Sequence, residues 1–300
     1  MAKLQVVASR PFSGKTTVAT ALAQGLARGQ GRVRLVRVGE GVAADEDAAT
    51  FAGFAFASSP GRPLSPDQVP SPRNETVIIE ADAGETQAGI AAILVVRAGM
   101  REPDQTLAAA LGNRLIGTIA TAVAPGAIEA VARDLTNAGL RPLALIAEDR
   151  TLAAPCVAEI RDALGARVLY EAENDREVVE DVLIAPVYAD PARPHFRRFE
   201  SKAVLAPFNK TDLHLAAIES QAACLVITGG QEPSPYVLDR AQHGTTTVLL
   251  ADKETLETLA SLSDVWQTSR FRGERKLAAA FAHLEGRVDF ASLRRKIESP

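Results

Sequence analysis

The sequence predicts an α/β protein: a mostly parallel sheet with helices on both faces, followed by a second, smaller α/β domain. Three observations predict it. Short apolar runs alternate with amphipathic stretches of helical period along most of the chain. The apolar runs are continuous, as expected of strands buried on both faces. And of 300 residues, 47% are hydrophobic and 23% charged, enough apolar material to bury a core and too apolar for wholesale disorder.

The elements follow in order. Leu4 to Ala8 reads as a buried strand, and Lys15 to Arg28 as a helix with Val18, Leu22 and Leu26 on one face. Val33 to Val38 is a second strand. An Ala-rich stretch, Asp45 to Ala57, precedes a loop, Ser58 to Asn74, too rich in Pro and Ser to hold a regular element. The alternation then resumes. Strands are expected at Thr76–Ala81 and Ala91–Arg97, a helix near Asp104–Gly112, and a strand at Leu115–Ala122. A helix at Gly126–Ala138, a strand at Pro142–Ala147 and a helix at Val157–Leu164 follow, and Arg167–Tyr170 closes the run. The polar interval Glu171–Asp181 places the boundary, giving domains 1–178 and 179–300. The second domain carries strands at Lys202–Pro207, Cys224–Thr228 and Thr245–Ala251. Its helices are expected at Leu213–Gln221 and through Val237–Ala241, with a helical tail at Lys253–Leu262, Gly273–Leu284 and Phe290–Ile297.

Composition excludes several functions. Lys plus Arg is 33 and Asp plus Glu 37, a net charge of −4 that gives no global pull toward nucleic acid or anionic membrane. No apolar run approaches the roughly 18 residues of a membrane span, and the opening MAKLQVVASRP enters a strand at once, so no secretory leader is expected. Cys156 and Cys224 lack the spacing of a zinc site, and a reduced, cytoplasmic setting fits them. The four histidines are scattered and read as structural or exposed.

The strongest chemical signal is Ser9-Arg10-Pro11-Phe12-Ser13-Gly14-Lys15-Thr16-Thr17, between the first strand and the first helix. It matches the phosphate loop G-x-x-x-x-G-K-[ST] except that Ser9 holds the first Gly position. Gly14 permits close backbone approach, and the N–H groups of residues 13 to 17 would face an anion at the helix N-terminus. Lys15 offers a compact charge to β/γ-phosphates, and Thr16 a hydroxyl to Mg²⁺. A helix cap with an accidental Gly-Lys-Thr is the alternative, but the strand–loop–helix context favours phosphate. Arg10 is either a solvated loop charge or a nucleotide contact; it holds the place where the ParA-like branch of phosphate-loop proteins has a lysine that reaches across a dimer.

Such a site needs carboxylates for Mg²⁺. Asp45-Glu46-Asp47 follows the second strand, and Glu80 and Asp82 end the third at the carboxyl edge of the sheet, where α/β ligand sites gather. Asp47 and Glu80 are the candidate metal residues with Thr16, and Lys15 and Glu80 the candidate catalytic ones. Asp45 and Asp47 could instead serve a helix N-terminus.

The first ~180 residues resemble the dethiobiotin synthetase-like P-loop domain at the N-terminus of long phosphotransacetylases. The segments VVASRPFSGKTTVATALAQGL, DEDAATFAG, VIIEADAG, AILVVRAG, GTIATAVAP and LIAEDRTLAAPCVAEI carry this resemblance. From about residue 182, KAVLAPFNKTDLHLAAIESQAACLVITGGQEP and VLLADKETLETL resemble the DRTGG domain that follows it in those proteins. The resemblance implies Gly14, Lys15, Thr16 and Thr17 at the phosphates and Asp47 and Glu80 near Mg²⁺, on a P-loop NTPase-type fold. It departs from the synthetases at Arg37-Val38, where they carry Lys-Pro, and at Thr121-Ala122-Val123, where they carry a base-reading Asn. The separate acyl-transferase domain of those proteins is not expected within these 300 residues, and neither is acetyl transfer.

In the second domain, Asn209-Lys210-Thr211-Asp212 and Thr228-Gly229-Gly230 are expected at one strand-end edge. They serve either as plain caps and turns or as a seat for an anionic or nucleotide-like small-molecule effector. The basic segment Arg270–Lys276 reads as a solvated helix start. The leading functional expectation is a regulatory protein binding ATP, or GTP, with Mg²⁺, pairing as a homodimer and hydrolysing nucleotide weakly or conditionally. The alternatives are an ATP-dependent ligase that phosphorylates a carboxylate, of the dethiobiotin synthetase or cobyrinate amidase kind, and a scaffold that has lost nucleotide.

Overall fold

The computed structural model describes residues 2–29, 31–71, 74–173, 178–185 and 189–298. Four residues of the polar interval Glu171–Asp181, 174–177, lie outside the described residues, as do 72–73 of the Pro/Ser-rich loop.

The chain opens with β1 (Lys3–Val7), α1 (Lys15–Arg28), β2 (Arg32–Arg37) and α2 (Val42–Ala52). β3 (Glu75–Glu80), β4 (Ala91–Arg97), α3 (Glu102–Leu111) and β5 (Leu115–Val123) follow. Next come α4 (Ile128–Asn137), β6 (Pro142–Ala147), α5 (Arg150–Ala153), α6 (Val157–Leu164), β7 (Arg167–Tyr170) and β8 (Asp181–Ile184). α7 (Ala189–Phe196), β9 (Lys202–Pro207), α8 (Thr211–Glu219), β10 (Cys224–Thr228), α9 (Pro235–Ala241) and β11 (Thr247–Leu250) continue the chain. It ends in α10 (Thr255–Ser261), α11 (Val265–Thr268), α12 (Gly273–Leu284) and α13 (Phe290–Glu298). Among the described residues no helix is long and apolar enough to cross a membrane.

Two compact units result: residues 1–152 with 276–300, and residues 153–275. The first holds a six-stranded parallel sheet in the order β2-β3-β1-β4-β5-β6. β1 sits between β3 and β4, so the chain leaves it to one side and later returns to the other. That topology opens a crevice at the carboxyl end of β1, where ligands of open α/β sheets bind. The central strands are buried on both faces (Leu4, Val6, Ile78, Ile79, Ile93, Leu94), which is why their sequences run apolar without alternation.

The described residues of the Ser58–Asn74 segment form no strand of the sheet but line its edge. Leu35 N–H donates to Ser58 O (2.9 Å) and Ser58 N–H to Val33 O (3.0 Å); farther along, Leu64 N–H donates to Arg37 O (2.9 Å). These bonds cover part of an edge that would otherwise offer free backbone groups. A cavity of about 850 Å³ lies on this side, lined by Arg32, Arg34, Phe56, Ser58 and Glu75, and no residue of the Ser9–Thr17 loop lines it.

The C-terminal helices α12 and α13 belong to the first unit. Arg294 on α13 donates to Leu26 O (2.6 Å) and Gly29 O (3.2 Å), so a guanidinium serves the open carbonyls at the end of α1. The Phe290 ring lies against Gly25 so closely that a Cβ there would overlap it. Gly25→Ala is therefore expected to destabilise the protein by about 1–3 kcal/mol through overpacking. A denaturant titration should show this as a lower midpoint at unchanged slope, and an unchanged midpoint would contradict it.

The second unit holds a five-stranded sheet ordered β7-β11-β10-β9-β8. β8 to β11 run parallel, and β7 joins β11 antiparallel. This moves the sequence-based boundary. Arg167–Tyr170 does not close the first sheet but edges the second, and α6 packs its Val157 and Ile160 on that sheet's core. The break falls at 152/153 instead of 178/179, and the last 25 residues return to the first unit. The Arg270–Lys276 segment is not simply solvated: Arg275 pairs with Glu180 (3.0 Å) and Lys276 is buried. His214 is structural, its buried Nε2 donating to Pro207 O (2.9 Å), and burial holds its pKa below the ordinary value.

Candidate functional site

The Ser9–Thr17 loop leaves the carboxyl end of β1 and enters α1 at Gly14, whose left-handed backbone (φ 84°, ψ 25°) makes the sharp entry. Thr121, near the end of β5, lies close behind Gly14 and donates its hydroxyl to Ser13 O (2.7 Å). Arg97, at the end of β4, donates to Phe12 O (2.7 Å), and Ser13 Oγ donates to Arg10 O (2.9 Å). The loop's carbonyls are thus turned inward to the protein. Val18 N–H bonds Gly14 O, but the N–H groups of Ser13, Gly14, Lys15, Thr16 and Thr17 donate to no group among the described residues.

Around this turn lie charged side chains at low exposure. Lys15 is 8% exposed, and its ammonium makes no hydrogen bond or ion pair among the described residues. Burial holds its pKa below the ordinary value; Glu80 opposes that shift most strongly, while Arg37 adds to it. Thr16 donates its hydroxyl to Glu80 Oε1 (2.9 Å). The other oxygen, Glu80 Oε2, is buried without a partner. Burial first, and the Asp47 carboxylate second, push the Glu80 carboxyl up to about 7, against the pull of Lys15, Arg37 and the Thr16 hydroxyl. Arg37 is also buried. It donates Nε to Asp47 (3.1 Å) and Nη2 to Asp82, and although burial opposes its charge, these carboxylates and Glu80 raise its pKa.

Of the residues singled out from sequence, Ser13, Gly14, Lys15, Thr16, Thr17 and Glu80 gather at the turn between β1 and α1. Asp47 joins through Arg37, and its field acts on Glu80. Asp45 stays exposed in the first turn of α2. Ser9 and Arg10 belong to a different arrangement. Both bind Asp104, a fully buried carboxylate in the first turn of α3: Ser9 Oγ donates to Oδ1, and Arg10 Nη2 to Oδ2 (3.3 Å). Arg10 is therefore not a free loop charge. Asp104 and Arg97 were not expected at the site, since an acid in a first helical turn reads as a cap and Arg97 as a strand end; Thr121 stood out only as lying where the resembled synthetases carry an Asn.

The set can hold a polyphosphate: free N–H donors, an unpaired ammonium, and a hydroxyl-bound carboxylate with one free oxygen. Among the described residues no three His, Cys, Asp or Glu side chains converge as a metal-binding group. That suits Mg²⁺ only where phosphate oxygens and water complete its shell, its usual manner of binding.

In the second unit the two glycine and lysine loops do share one strand-end edge, and the N–H groups of Gly229 and Gly230 are committed. Gly229 N–H donates to Lys253 O (2.9 Å), Gly230 N–H to Ala251 O (3.1 Å) and Phe208 N–H to Thr228 O (3.0 Å). Thr228 and Thr255 share a hydroxyl hydrogen bond (2.7 Å). These glycines tie loops together, and their N–H groups are not available to an anion.

Comparison with known proteins gives partial matches. Phosphate acetyltransferase of Nitratidesulfovibrio vulgaris (strain Hildenborough) is 27% identical over 166 residues, covering 51% of this chain and 23% of that protein. The chain thus spans under a quarter of the length of that relative. Among solved structures, the CBS and DRTGG domains of the regulatory region of Clostridium perfringens pyrophosphatase, complexed with the activator diadenosine tetraphosphate, match at 17% identity. That match covers 42% of this chain and 56% of the other, with a TM-score of 0.33. Residues 159–265 match the DRTGG domain family, a span that begins within α6, inside the second unit, and not near residue 182. The second unit carries a DRTGG domain.

Proposed function

We propose that the first unit binds a Mg²⁺–nucleoside triphosphate on the Ser9–Thr17 loop and that the DRTGG-bearing chain is a regulatory nucleotide-binding protein with weak or conditional hydrolysis. One observation carries the reading. Lys15, only 8% exposed, and the buried Glu80 Oε2 stand at this one turn, and among the described residues neither the ammonium nor that oxygen has a hydrogen-bond partner. Unpaired buried charge is costly, and a ligand with phosphate oxygens and a cation would pair both. In this reading the N–H groups of residues 13–17 and Lys15 hold the phosphates, while Thr16 and Glu80, with Asp47 behind them, hold Mg²⁺. The ion would neutralise phosphate charge when bound. Similarity to the dethiobiotin synthetase-like P-loop domain supports the same assignment.

Thermal unfolding tests it. Mg-ATP or Mg-GTP at about 100 times its Kd stabilises the folded state by about 2.7 kcal/mol. For a unit of this size that is a rise of roughly 5–10 °C in melting temperature. No rise with either nucleotide at millimolar concentration would overturn the proposal and leave the scaffold reading.

A second reading, an ATP-dependent ligase, is favoured by Arg37. It is a buried guanidinium at the site edge, held by Asp47 and by the half-exposed Asp82. An acceptor carboxylate that displaces Asp82 would be drawn to it. Phosphate release that appears only when a small carboxylic acid is added would establish this reading over the regulatory one.

A further inference from the structure

We infer that Asp104 is a positioning residue for the phosphate loop: it anchors Ser9 and Arg10 so that the N–H groups of Ser13 to Thr17 stay aimed into the site before any ligand arrives. The inference rests on the phosphate-loop reading above and adds to it a residue about 90 positions downstream in sequence.

Asp104 is fully buried, and a buried carboxylate must be well partnered. Its partners are the Ser9 hydroxyl, the Arg10 guanidinium (3.3 Å) and the backbone N–H of Arg101 (2.9 Å). The last bond belongs to the start of α3. The first two join that helix start to the first two residues of the loop. The other loop ties act farther along, Arg97 on Phe12 O and Thr121 on Ser13 O. The loop is therefore held from three elements, α3, β4 and β5.

Ser9 explains why such an anchor is used here. A glycine at the first loop position turns without a side chain; serine brings a hydroxyl that needs a partner once the loop packs down. Asp104 takes that hydroxyl and fixes the turn. Arg10 is drawn to the same carboxylate and to Arg97 O (3.4 Å), so its guanidinium braces its own loop.

The test uses the full ¹⁵N-labelled chain and compares wild type with Asp104→Asn and Ser9→Ala. Asn removes the carboxylate charge that holds the Arg10 guanidinium and puts an NH2, which accepts no hydrogen bond, at one of the two acceptor positions, and Ala removes only the loop hydroxyl. In nucleotide-free protein the amide resonances of Ser13 to Thr17 should shift or broaden in both variants. Leu107→Ala, which loosens the same helix by a cavity, should leave them in place. Mg-ATP titration should give a Kd about tenfold weaker in Asp104→Asn. The Arg10→Ala/Asp104→Asn double variant should be no weaker than Asp104→Asn alone, because both changes cut one network. Loop resonances and Kd that match wild type in a folded Asp104→Asn protein overturn the inference. If Asp104→Asn does not fold, wild-type behaviour of Ser9→Ala overturns it. Should Mg-ATP leave the wild-type resonances unmoved while Asp104→Asn still disturbs them, the nucleotide reading fails and the positioning role of Asp104 stands.

Discussion

Lys15→Ala is expected to weaken Mg-ATP binding by about 100-fold or more, since the ammonium would supply two charge-assisted bonds of about 1.5–3 kcal/mol each. The nucleotide-free protein should not suffer. Lys15 is buried with no hydrogen-bond partner for its ammonium among the described residues, and burial disfavours its charge, so its removal takes away a desolvation cost and no hydrogen bond seen among them. The expected pattern is a melting temperature equal to or above wild type without nucleotide, and no rise on adding Mg-ATP. Lys15→Arg should not restore binding, because a planar guanidinium does not fit a space shaped for a point charge. A variant that loses stability while its nucleotide-induced rise survives would remove Lys15 from the site and make it a structural residue.

Glu80→Gln should produce two opposite effects. The folded-state pKa of Glu80 is raised from 4.5 to about 7, because burial and the Asp47 field disfavour its charge. Below about pH 4.5 the group is protonated folded or unfolded, and it is neutral to stability. Between about 4.5 and 7 the unfolded chain releases the proton and the folded protein keeps it, so stability falls as pH rises; above 7 the loss is complete. That loss amounts to about 3 kcal/mol, which Gln, always neutral, escapes. Glu80→Gln should therefore match wild type near pH 4.5 and exceed it at pH 8, while binding Mg-nucleotide about tenfold or more weakly for want of a carboxylate. Parallel pH–stability curves for the two proteins would show that Glu80 does not titrate as its burial implies. Gain of stability with loss of binding is the trade expected of a functional group held in an unfavourable setting.

Much of the fold is legible locally. α1, β4, β6, α6, β9, β10 and α12 have the bounds that periodicity and breakers predict. Each has a strong apolar period or run and flanking Gly, Pro or polar punctuation. β8 and α7 are not legible. β8 (Asp-Val-Leu-Ile) is a four-residue edge strand that follows a polar interval, and α7 carries prolines that read as breakers. Both form because the second sheet offers them a partner: β8 pairs with β9, and Phe196 of α7 fills that sheet's core.

The candidate site divides the same way. The candidate loop Ser9–Thr17 stands out in sequence because it is contiguous, with Gly14, Lys15 and Thr16 consecutive between a strand and a helix. Glu80 was legible as a carboxylate ending a buried strand. Asp104 was not, because its meaning lies in contacts with Ser9 and Arg10, and a capping acid looks the same in sequence wherever its helix is placed.

Local pattern, then, was sufficient to set the βα rhythm, the Ser9–Thr17 loop between β1 and α1 and the carboxylate at the end of β3, since each depends on neighbours within a few residues. The destination of β7, the division of the chain at residue 152 and the return of its last helices to the first unit were decided by tertiary structure. So were the bond from Asp104 to the loop and the use of the Gly229 and Gly230 N–H groups. These depend on which distant surfaces bury one another, and burial is what turns an ordinary acid, glycine or strand end into a determinant of the site.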